Sequence, residues 1–247
     1  AISACERSGQ WQLALHVFRC EMSDAGVRPN EITYNAAMSA CEKGFQWQLA
    51  LVLLVDLADA RLKADVVSCS AVISACEKAR QWERALSFLG NWMPQRRVSP
   101  GQISCSSVIS SCERAGEWEI SLGLLSGMPA MRLPPDEISC SAAISVCEKS
   151  GQWQIALDLL NSMPALGASP DDISYNAAMN ACANGGQWRL VIDLLGTMSK
   201  VDLIPSAVSY STGLGACVAG SELGLALVWM GKLQGRALCD LGSWGRS

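Results

Sequence analysis

The chain has 247 residues, of which 50% are apolar and 17% are charged, so it is long enough to bury a core and too apolar for a disordered segment. Its longest apolar stretches, such as residues 49–55, are soon interrupted by charges, and none approaches the roughly 20 apolar residues of a membrane span. The net charge of −4 argues against simple polyanion binding, which depends on Lys and Arg to neutralise phosphates.

The first residues repeat a phrase that occurs again later in the chain. Residues 1–5 read Ala-Ile-Ser-Ala-Cys, and residues 72–76 read Val-Ile-Ser-Ala-Cys. This match indicates that the sequence begins partway through a repeat. No basic region followed by an apolar run is present at the start, so no targeting segment is predicted within this sequence.

Tryptophan recurs every 35 or 36 residues, at Trp11, Trp47, Trp82, Trp118, Trp153 and Trp188. A cysteine lies six residues before each one, at Cys5, Cys41, Cys76, Cys112, Cys147 and Cys182. A further cysteine, Cys217, precedes Leu223 at the same offset. A sustained period of this length predicts tandem copies of one supersecondary motif.

Each repeat is predicted to begin with a helix. In residues 32–43 the apolar side chains recur at helical spacing, and Gly44 interrupts the pattern. Gly116, Gly151 and Gly186 follow the equivalent segments one or two positions later. A glycine in the left-handed conformation is a common helix stop, so these glycines predict the turn inside each repeat.

A second helix is predicted to start at each tryptophan, as in residues 47–54 and 153–160. Met-Pro pairs at 93–94, 128–129 and 163–164 predict its end, because proline disfavours a helical conformation in the preceding residue. The tryptophans and leucines are expected to supply the buried area. Stacking of neighbouring repeats then covers the apolar face that a single hairpin leaves open.

The predicted fold class is therefore all-α: a right-handed α-solenoid, or superhelix, of helix-turn-helix repeats about 35 residues long. The predicted segments are a partial repeat at 1–30, complete repeats at 31–65, 66–101, 102–136, 137–171 and 172–206, a degenerate repeat at 207–235 and an irregular tail at 236–247.

Neither a metal site nor a catalytic centre is predicted. Ten of the twelve cysteines occupy two repeated slots without a CxxC pair, and His16 offers no complement for a zinc site. We favour cysteine as a small core residue in a reducing compartment. The chain lacks a glycine-rich phosphate loop, a carboxylate pair and a nucleophile elbow, so we expect no enzyme activity, cofactor or small-molecule substrate.

A basic residue lies two positions after the core cysteine in five successive repeats, at Arg7, Lys43, Lys78, Arg114 and Lys149. Neighbouring helices pack roughly 10 Å apart, so this row could follow a phosphate backbone. Alternatively, these are solvated residues near helix C-termini, where cations are favoured, and the glutamate before each one supports that interpretation. The sequence leaves both possibilities open.

The phrase Ile-Thr-Tyr-Asn at residues 32–35, its counterpart at 173–176, and Cys-Glu-Lys near the first helix end resemble the pentatricopeptide repeat family. The resemblance extends to about residue 235. Tetratricopeptide repeats have a different period and pattern. The resemblance implies binding of single-stranded RNA, one base per repeat, in support of RNA processing, editing, stability or translation in a plastid or mitochondrion.

The resemblance also implies which residues contact a base: the fifth and last residues of a repeat select it, and the apolar second residue sandwiches it. The implied recognition residues are Asn30, Asn35, Asp65, Ser70, Gly101, Ser106, Asp136, Ser141, Asp171, Asn176, Ser206 and Ser211. The implied sandwiching residues are Ile32, Val67, Ile103, Ile138, Ile173 and Val208. The basic row would face the phosphates.

By the same resemblance, the implied bases are uracil for Asn35 with Asp65, guanine for Ser106 with Asp136 and for Ser141 with Asp171, and a pyrimidine for Asn176 with Ser206. Ser70 with Gly101 departs from the family's pairs and implies no base. The structural alternative is that the fifth residue only caps its helix. The functional alternative is a scaffold whose solenoid surface binds a protein partner.

Overall fold

The computed structural model describes residues 1–113 and 115–220, which fold into successive helical hairpins. The all-α class of tandem helix-turn-helix repeats is confirmed. Arg114, the end of the predicted degenerate repeat 207–235 and the predicted tail 236–247 lie outside the described residues. Within the described ranges, no helix has the length and apolarity needed to cross a membrane.

Each hairpin consists of a first helix and a second helix that starts at the repeated tryptophan. The first helices are Ile2–Arg7, Glu31–Lys43, Val66–Lys78, Gln102–Glu113, Glu137–Lys149, Asp172–Asn184 and Ala207–Ala219. The second helices are Trp11–His16, Trp47–Asp59, Trp82–Ser87, Trp118–Gly127, Trp153–Ser162 and Trp188–Lys200. The predicted tryptophan start of every second helix is confirmed.

The chain divides into an N-terminal part, Ala1–Pro134, and a C-terminal part, Pro135–Ser247. Within each part, every first helix packs against the first helix of the next repeat. The second helix of a repeat packs against its own first helix and against the next one. The apolar face of each hairpin is therefore buried by its neighbour, which is how a solenoid builds a continuous core from units that cannot fold alone.

The last residue of one repeat caps the first helix of the next. At Asp65, the backbone N–H of Ser68 donates to Oδ1 at 2.8 Å, and the backbone N–H of Asp65 donates to Ser68 Oγ at 2.9 Å. The same reciprocal capping box begins the helices that follow Asn30, Asp136, Asp171 and Ser206. The alternative in which the fifth residue is the cap is wrong, because Asn35 lies a full turn inside its helix.

A residue with positive φ makes the turn inside each repeat. Gly116, Gly151 and Gly186 have φ values of 71–73°, as the helix-stop pattern predicted. Gly44 differs, because its φ is −86° and the next residue, Phe45, takes the left-handed conformation at φ 58°. The turn therefore tolerates a non-glycine residue, and Gly44 has another role.

Gly44 has no side chain and so leaves space for the indole of Trp11 in the preceding repeat. A β-carbon at this position would collide with the indole of Trp11, and the same relation joins Gly185 to Trp153 and Gly220 to Trp188. These tryptophans are half-buried, whereas leucines such as Leu53 and Leu57 are fully buried. The indole packs against the glycine of the next repeat, and smaller side chains form the fully buried core.

The cysteine slot forms part of that interior. Cys41, Cys76, Cys112, Cys147, Cys182 and Cys217 are 0% exposed, which confirms their prediction as small core residues. Ala14, Ala50, Ala85 and Ala156 on the second helices are also fully buried. Small side chains at these positions let adjacent helices approach closely.

The second helices end in different ways. Trp118–Gly127 and Trp153–Ser162 stop immediately before their Met-Pro pair, and a 3₁₀ turn follows. In the repeat 66–101 the helix instead widens into a π-helical turn, Phe88–Trp92, and resumes as Met93–Gln95. The predicted stop at residues 93–94 is wrong, because Pro94 stands in the first turn of the resumed segment, where a missing N–H is tolerated.

Candidate functional site

An exposed apolar side chain lies near the start of each first helix from residue 31 onward, forming a row of three in the N-terminal part and a row of three in the C-terminal part. The members are Ile32, Val67, Ile103, Ile138, Ile173 and Val208, one from each repeat, and their exposed fractions range from 55% to 73%. Large aliphatic residues left this open in register are a costly surface for an unliganded protein. The predicted sandwiching residues therefore have the exposure that contact with a flat ligand requires.

Polar residues flank this row, and one predicted recognition pair is in direct contact. Asn35 Nδ2 donates to Asp65 Oδ2 at 3.2 Å and more weakly to Oδ1 at 3.4 Å. Asn35 Oδ1 is buried and has no hydrogen-bond partner in the described part of the chain. The pair thus combines a fixed carboxylate with an unsatisfied amide acceptor, three residues along the helix from Ile32.

In the repeat 172–206 the predicted pair is joined through a third residue. Ser209 Oγ donates to Asn176 Oδ1 at 2.7 Å and lies 3.1 Å from Ser206 Oγ. Asn176 therefore presents its amide differently from Asn35, because its oxygen is already satisfied. The two asparagine repeats are chemically distinct although both carry Asn at the fifth position.

The fifth-position serines turn inward. Ser70, Ser106 and Ser141 are less than 10% exposed, and each donates to a carbonyl of the preceding turn at 2.7–3.1 Å. Ser211 forms the same type of bond to the Val208 carbonyl but is exposed. A serine whose proton is used by its own helix retains acceptor capacity toward a ligand.

The repeat 66–101 has no free polar side chain at its two predicted recognition positions. Ser70 Oγ lies 3.0 Å from Ser104 Oγ in addition to its bond to the Val66 carbonyl. Gly101 stands at the capping position without a side chain, and a β-carbon there would lie 3.0 Å from Val66 Cγ1. This repeat exposes Val67 but presents no free polar group beside it.

Sequence reasoning missed the hydroxyl at the third position of every repeat. Ser68, Ser139, Ser174, Ser209 and Thr33 complete the capping boxes, and Ser104 and Ser209 also contact the fifth residue of the preceding repeat. The signal was visible, because Ser or Thr occupies this position in all six repeats from residue 31 onward. Its function requires contacts about 33 residues apart, which the period alone does not reveal.

The lysines of the basic row are paired with glutamate carboxylates. Lys78 Nζ donates to Glu42 Oε1 at 2.7 Å, and Lys43 Nζ lies 3.5 Å from Glu6 Oε1. Lys149 Nζ lies 3.4 Å from Oε1 of its sequence neighbour Glu148. Arg7 is exposed. Each of the three predicted phosphate-facing lysines is therefore paired with a glutamate of the protein.

The buried thiols are chemically quiet. Burial raises the pKa of Cys69 to about 12 and those of Cys41, Cys76, Cys140, Cys147 and Cys182 to about 11. Thiols with such pKa values remain protonated near neutral pH and are poor nucleophiles or metal ligands. His16 is exposed and lies 3.9 Å from Glu21.

Three family models match the chain in segments spread along its length. A PPR repeat family model matches residues 135–184, and a pentatricopeptide repeat domain model matches residues 1–43. A PPR repeat model matches residues 67–92, 103–133 and 173–203. No curated protein sequence matches the chain.

Solved structures with the same fold include the pentatricopeptide repeat protein PPR10 from maize, with a TM-score of 0.73 and 24% identity over 94% of this chain. PPR10 in complex with an 18-nt psaJ RNA element has a TM-score of 0.57 and 19% identity over 96% of this chain. The chain spans only 33% of the length of the first PPR10 chain and 39% of the length of the second. The PPR domain of Arabidopsis thaliana PRORP1, in complex with tRNA, has a TM-score of 0.59 and 14% identity, covering 71% of this chain and 95% of that one.

Proposed function

The chain belongs to the pentatricopeptide repeat family, and we propose from this premise that it binds single-stranded RNA, one base per repeat. The observation that carries the proposal is the row of exposed aliphatic residues at the second position of successive first helices. We further propose, on family resemblance alone, that binding serves RNA processing, editing, stability or translation in a plastid or mitochondrion.

The chemistry of the row suits an unstacked base. An aliphatic side chain from each of two repeats can cover the two faces of one base, while amide, hydroxyl and carboxylate groups hydrogen-bond to its edge. Double-stranded RNA hides its base faces by stacking, so this surface favours single strands. The groups gathered there bind and position, and we propose no catalysis.

The recognition pairs support different selectivities. Asn35 Oδ1 lacks a partner but is buried, so a rotation of the Asn35 side chain toward the ligand would let it accept from the ring N–H of uracil, the base implied for Asn35 with Asp65. For Ser141 with Asp171, and for Ser106 with Asp136, carboxylates and hydroxyl oxygens would accept from the donor edge of guanine. The pyrimidine assigned to Asn176 with Ser206 rests on the family alone. The repeat 66–101 is proposed to stack a base without selecting it, because it has no free polar group.

Two relatives in the solved structures hold RNA. PPR10 was crystallised with an 18-nt psaJ RNA element, and the PRORP1 domain with tRNA. Those ligands belong to those proteins, and here they support only the class of partner. This chain's own net charge of −4 and its paired lysines mean that stacking must contribute much of the affinity.

The test is a titration of the purified chain with single-stranded RNA pools at two salt concentrations, with duplex RNA and DNA as competitors. Asn35→Ser should shift the preferred base at one position of the bound RNA and leave the other positions unchanged. Asn91→Ser, an exposed asparagine in the π-helical turn Phe88–Trp92, is the matched control and should change nothing. No binding at micromolar protein would reject RNA binding and favour a protein-binding scaffold, whereas an equal shift with both variants would reject base recognition by Asn35.

A further inference from the structure

Glutamates and lysines alternate between neighbouring first helices in the N-terminal part. We define the Glu–Lys ladder as Glu6 with Lys43 and Glu42 with Lys78, in each case a lysine reaching back to the preceding repeat. Lys78 Nζ donates to Glu42 Oε1 at 2.7 Å. Lys43 Nζ lies 3.5 Å from Glu6 Oε1 and donates to the Glu6 carbonyl at 3.1 Å. Each ammonium group is thus directed along the row toward a carboxylate.

The carboxylates are the better-buried partners. Glu42 and Glu6 side chains are 23% and 25% exposed, whereas Lys78 and Lys43 are 37% and 41% exposed. The lysine is therefore the more solvent-accessible member of each pair. A ligand phosphate that reached the row would compete with the carboxylate that already contacts each ammonium group.

The internal repeats vary in a way that fits a partnership. The two positions read Glu-Arg or Glu-Lys at residues 6–7, 42–43, 77–78, 113–114 and 148–149. They become Ala-Asn at 183–184 and Val-Ala at 218–219, so the acidic and basic residues disappear together. Because each ladder lysine pairs with the glutamate of the preceding repeat, the pairs to compare are Glu148 with Asn184, where only the acidic residue remains, and Ala183 with Ala219, where both charges are absent.

The magnitudes indicate that the ladder matters more for a ligand than for folding. A part-exposed ion pair contributes only about 0.2–1 kcal/mol to stability. By contrast, each cation that neutralises a phosphate of a single strand steepens the dependence of affinity on salt by about 0.7 in log–log slope. Two lysines that are held by glutamates and so do not neutralise phosphates therefore have a measurable effect on RNA binding.

From this geometry we propose that Glu6 and Glu42 are built-in competitors of RNA phosphate, which hold Lys43 and Lys78 and weaken the contribution of the basic row. This inference rests on the proposed RNA binding and deepens it. With the lysines held, affinity depends on base stacking and on the recognition pairs, so poorly matched RNA gains little from charge. The glutamates thereby set specificity without touching a base.

The test measures affinity for single-stranded RNA against salt for the wild-type chain, Glu42→Gln, Lys78→Gln and the double variant. Glu42→Gln frees Lys78 and should tighten binding about two- to fivefold at low salt, with a slope steeper by about 0.7. Lys78→Gln alone leaves the Glu42 carboxylate unpaired and should weaken binding slightly, whereas in the Glu42→Gln background it should abolish the gain. Glu83→Gln, an exposed glutamate on a second helix, removes the same charge as a control.

The outcomes separate this inference from the proposed function. Equal tightening by Glu83→Gln and Glu42→Gln would mean a general charge effect and would overturn the ladder's role. Lys78→Gln could also reduce affinity as much in the wild-type background as in the Glu42→Gln background. That result would show that Lys78 already contacts phosphate, and it would overturn the ladder's role. RNA binding persists in both cases, whereas no binding by any variant rejects RNA reading itself together with this inference.

Discussion

A β-carbon on Gly185 would lie 2.5 Å from Cδ1 of Trp153, so the indole of one repeat rests directly on the backbone of the next. Gly185 has an ordinary φ of −80°, and glycine is therefore required here for space rather than for backbone conformation. The same contact occurs between Gly220 and Trp188, also at 2.5 Å.

We therefore expect Gly185→Ala to destabilise the protein by about 1–3 kcal/mol, the usual cost of overpacking. The measurement is urea unfolding followed by circular dichroism. Gly196→Ala is the control, because a β-carbon there meets nothing within 4 Å and lies inside the helix Trp188–Lys200. That substitution should stabilise by up to about 1 kcal/mol. A stabilised Gly185→Ala would show that the tryptophan can move away at no cost.

For Ser121 we expect a substitution by alanine to increase the stability of the fold. Its side chain is 1% exposed, and Oγ has no hydrogen-bond partner among the described residues. The equivalent position carries alanine in Ala14, Ala50, Ala85 and Ala156. We expect Ser121→Ala to raise the free energy of unfolding by about 1–2 kcal/mol, because it removes an unsatisfied buried hydroxyl. An unchanged or lower thermal midpoint would contradict this interpretation.

The repeat architecture could be predicted from the sequence because its signals are local. The period of the tryptophans locates the second helices, and helical spacing around Cys41 and Cys182 identifies the core face. The π-helical turn before Pro94 and the left-handed conformation of Phe45 could not be predicted, because no residue type in the sequence marks either of them.

The candidate site was predictable only in part. The second-position residues, such as Ile32, are exposed, as contact with a base would require, and their role in binding stays a prediction. The pairing of Lys78 with Glu42 was not predicted, because the partners are 36 residues apart and either partner alone resembles an ordinary solvated charge. The dual role of Asp65, as helix cap and partner of Asn35, likewise depends on how two repeats are stacked.

Asp171 allows capping to be separated from base reading. Its carboxylate caps the helix Asp172–Asn184 by accepting from the Ser174 N–H at 2.8 Å. Asp171→Ala should cost about 1 kcal/mol in unfolding experiments, whereas Asp171→Asn should cost little because asparagine is an equally good cap. We expect Asp171→Asn to change base preference at one RNA position at nearly constant stability. An Asn variant with unchanged preference would leave Asp171 with a structural role only.

Gly101 offers the complementary gain of function. Gly101→Asp would place a carboxylate beside Ser70, and Val66, whose side chain is exposed, must yield by a few tenths of an ångström. Glycine is already a fair cap, so stability should change by less than about 0.5 kcal/mol. We expect the wild-type repeat to accept all four bases and the variant to discriminate among them. Gly123→Asp, in open space on a second helix, should leave selectivity unchanged.

Glu77 predicts a dependence of stability on pH. Burial raises its pKa above the ordinary value of 4.5, with smaller contributions from Glu42 and Glu113, while Ser107 and Lys78 oppose the shift. The folded chain therefore holds this proton more tightly than the unfolded chain. The stability that this group contributes is present below pH 4.5 and is lost as pH rises through the folded pKa.

Glu77→Gln should accordingly be more stable than the wild type at pH 7, and the difference should disappear as pH falls below 4.5. Urea midpoints at several pH values measure both limits. Glu83→Gln, which is exposed on the neighbouring second helix, provides the reference for a simple change of net charge. A gap that stayed constant across the pH range would assign the effect to shape rather than to ionisation.

The capping boxes and the tryptophan–glycine joints differ in reach, and this difference determines where the chain can be cut and rejoined. A capping box such as Asp171 with Ser174 lies within four residues, so a transplanted repeat carries its own helix start if the cut falls before the cap. The joint of Trp153 with Gly185 has its two halves on different repeats. A graft that separates them must supply a glycine for the incoming indole, and so compatibility between spliced arrays is decided at this residue.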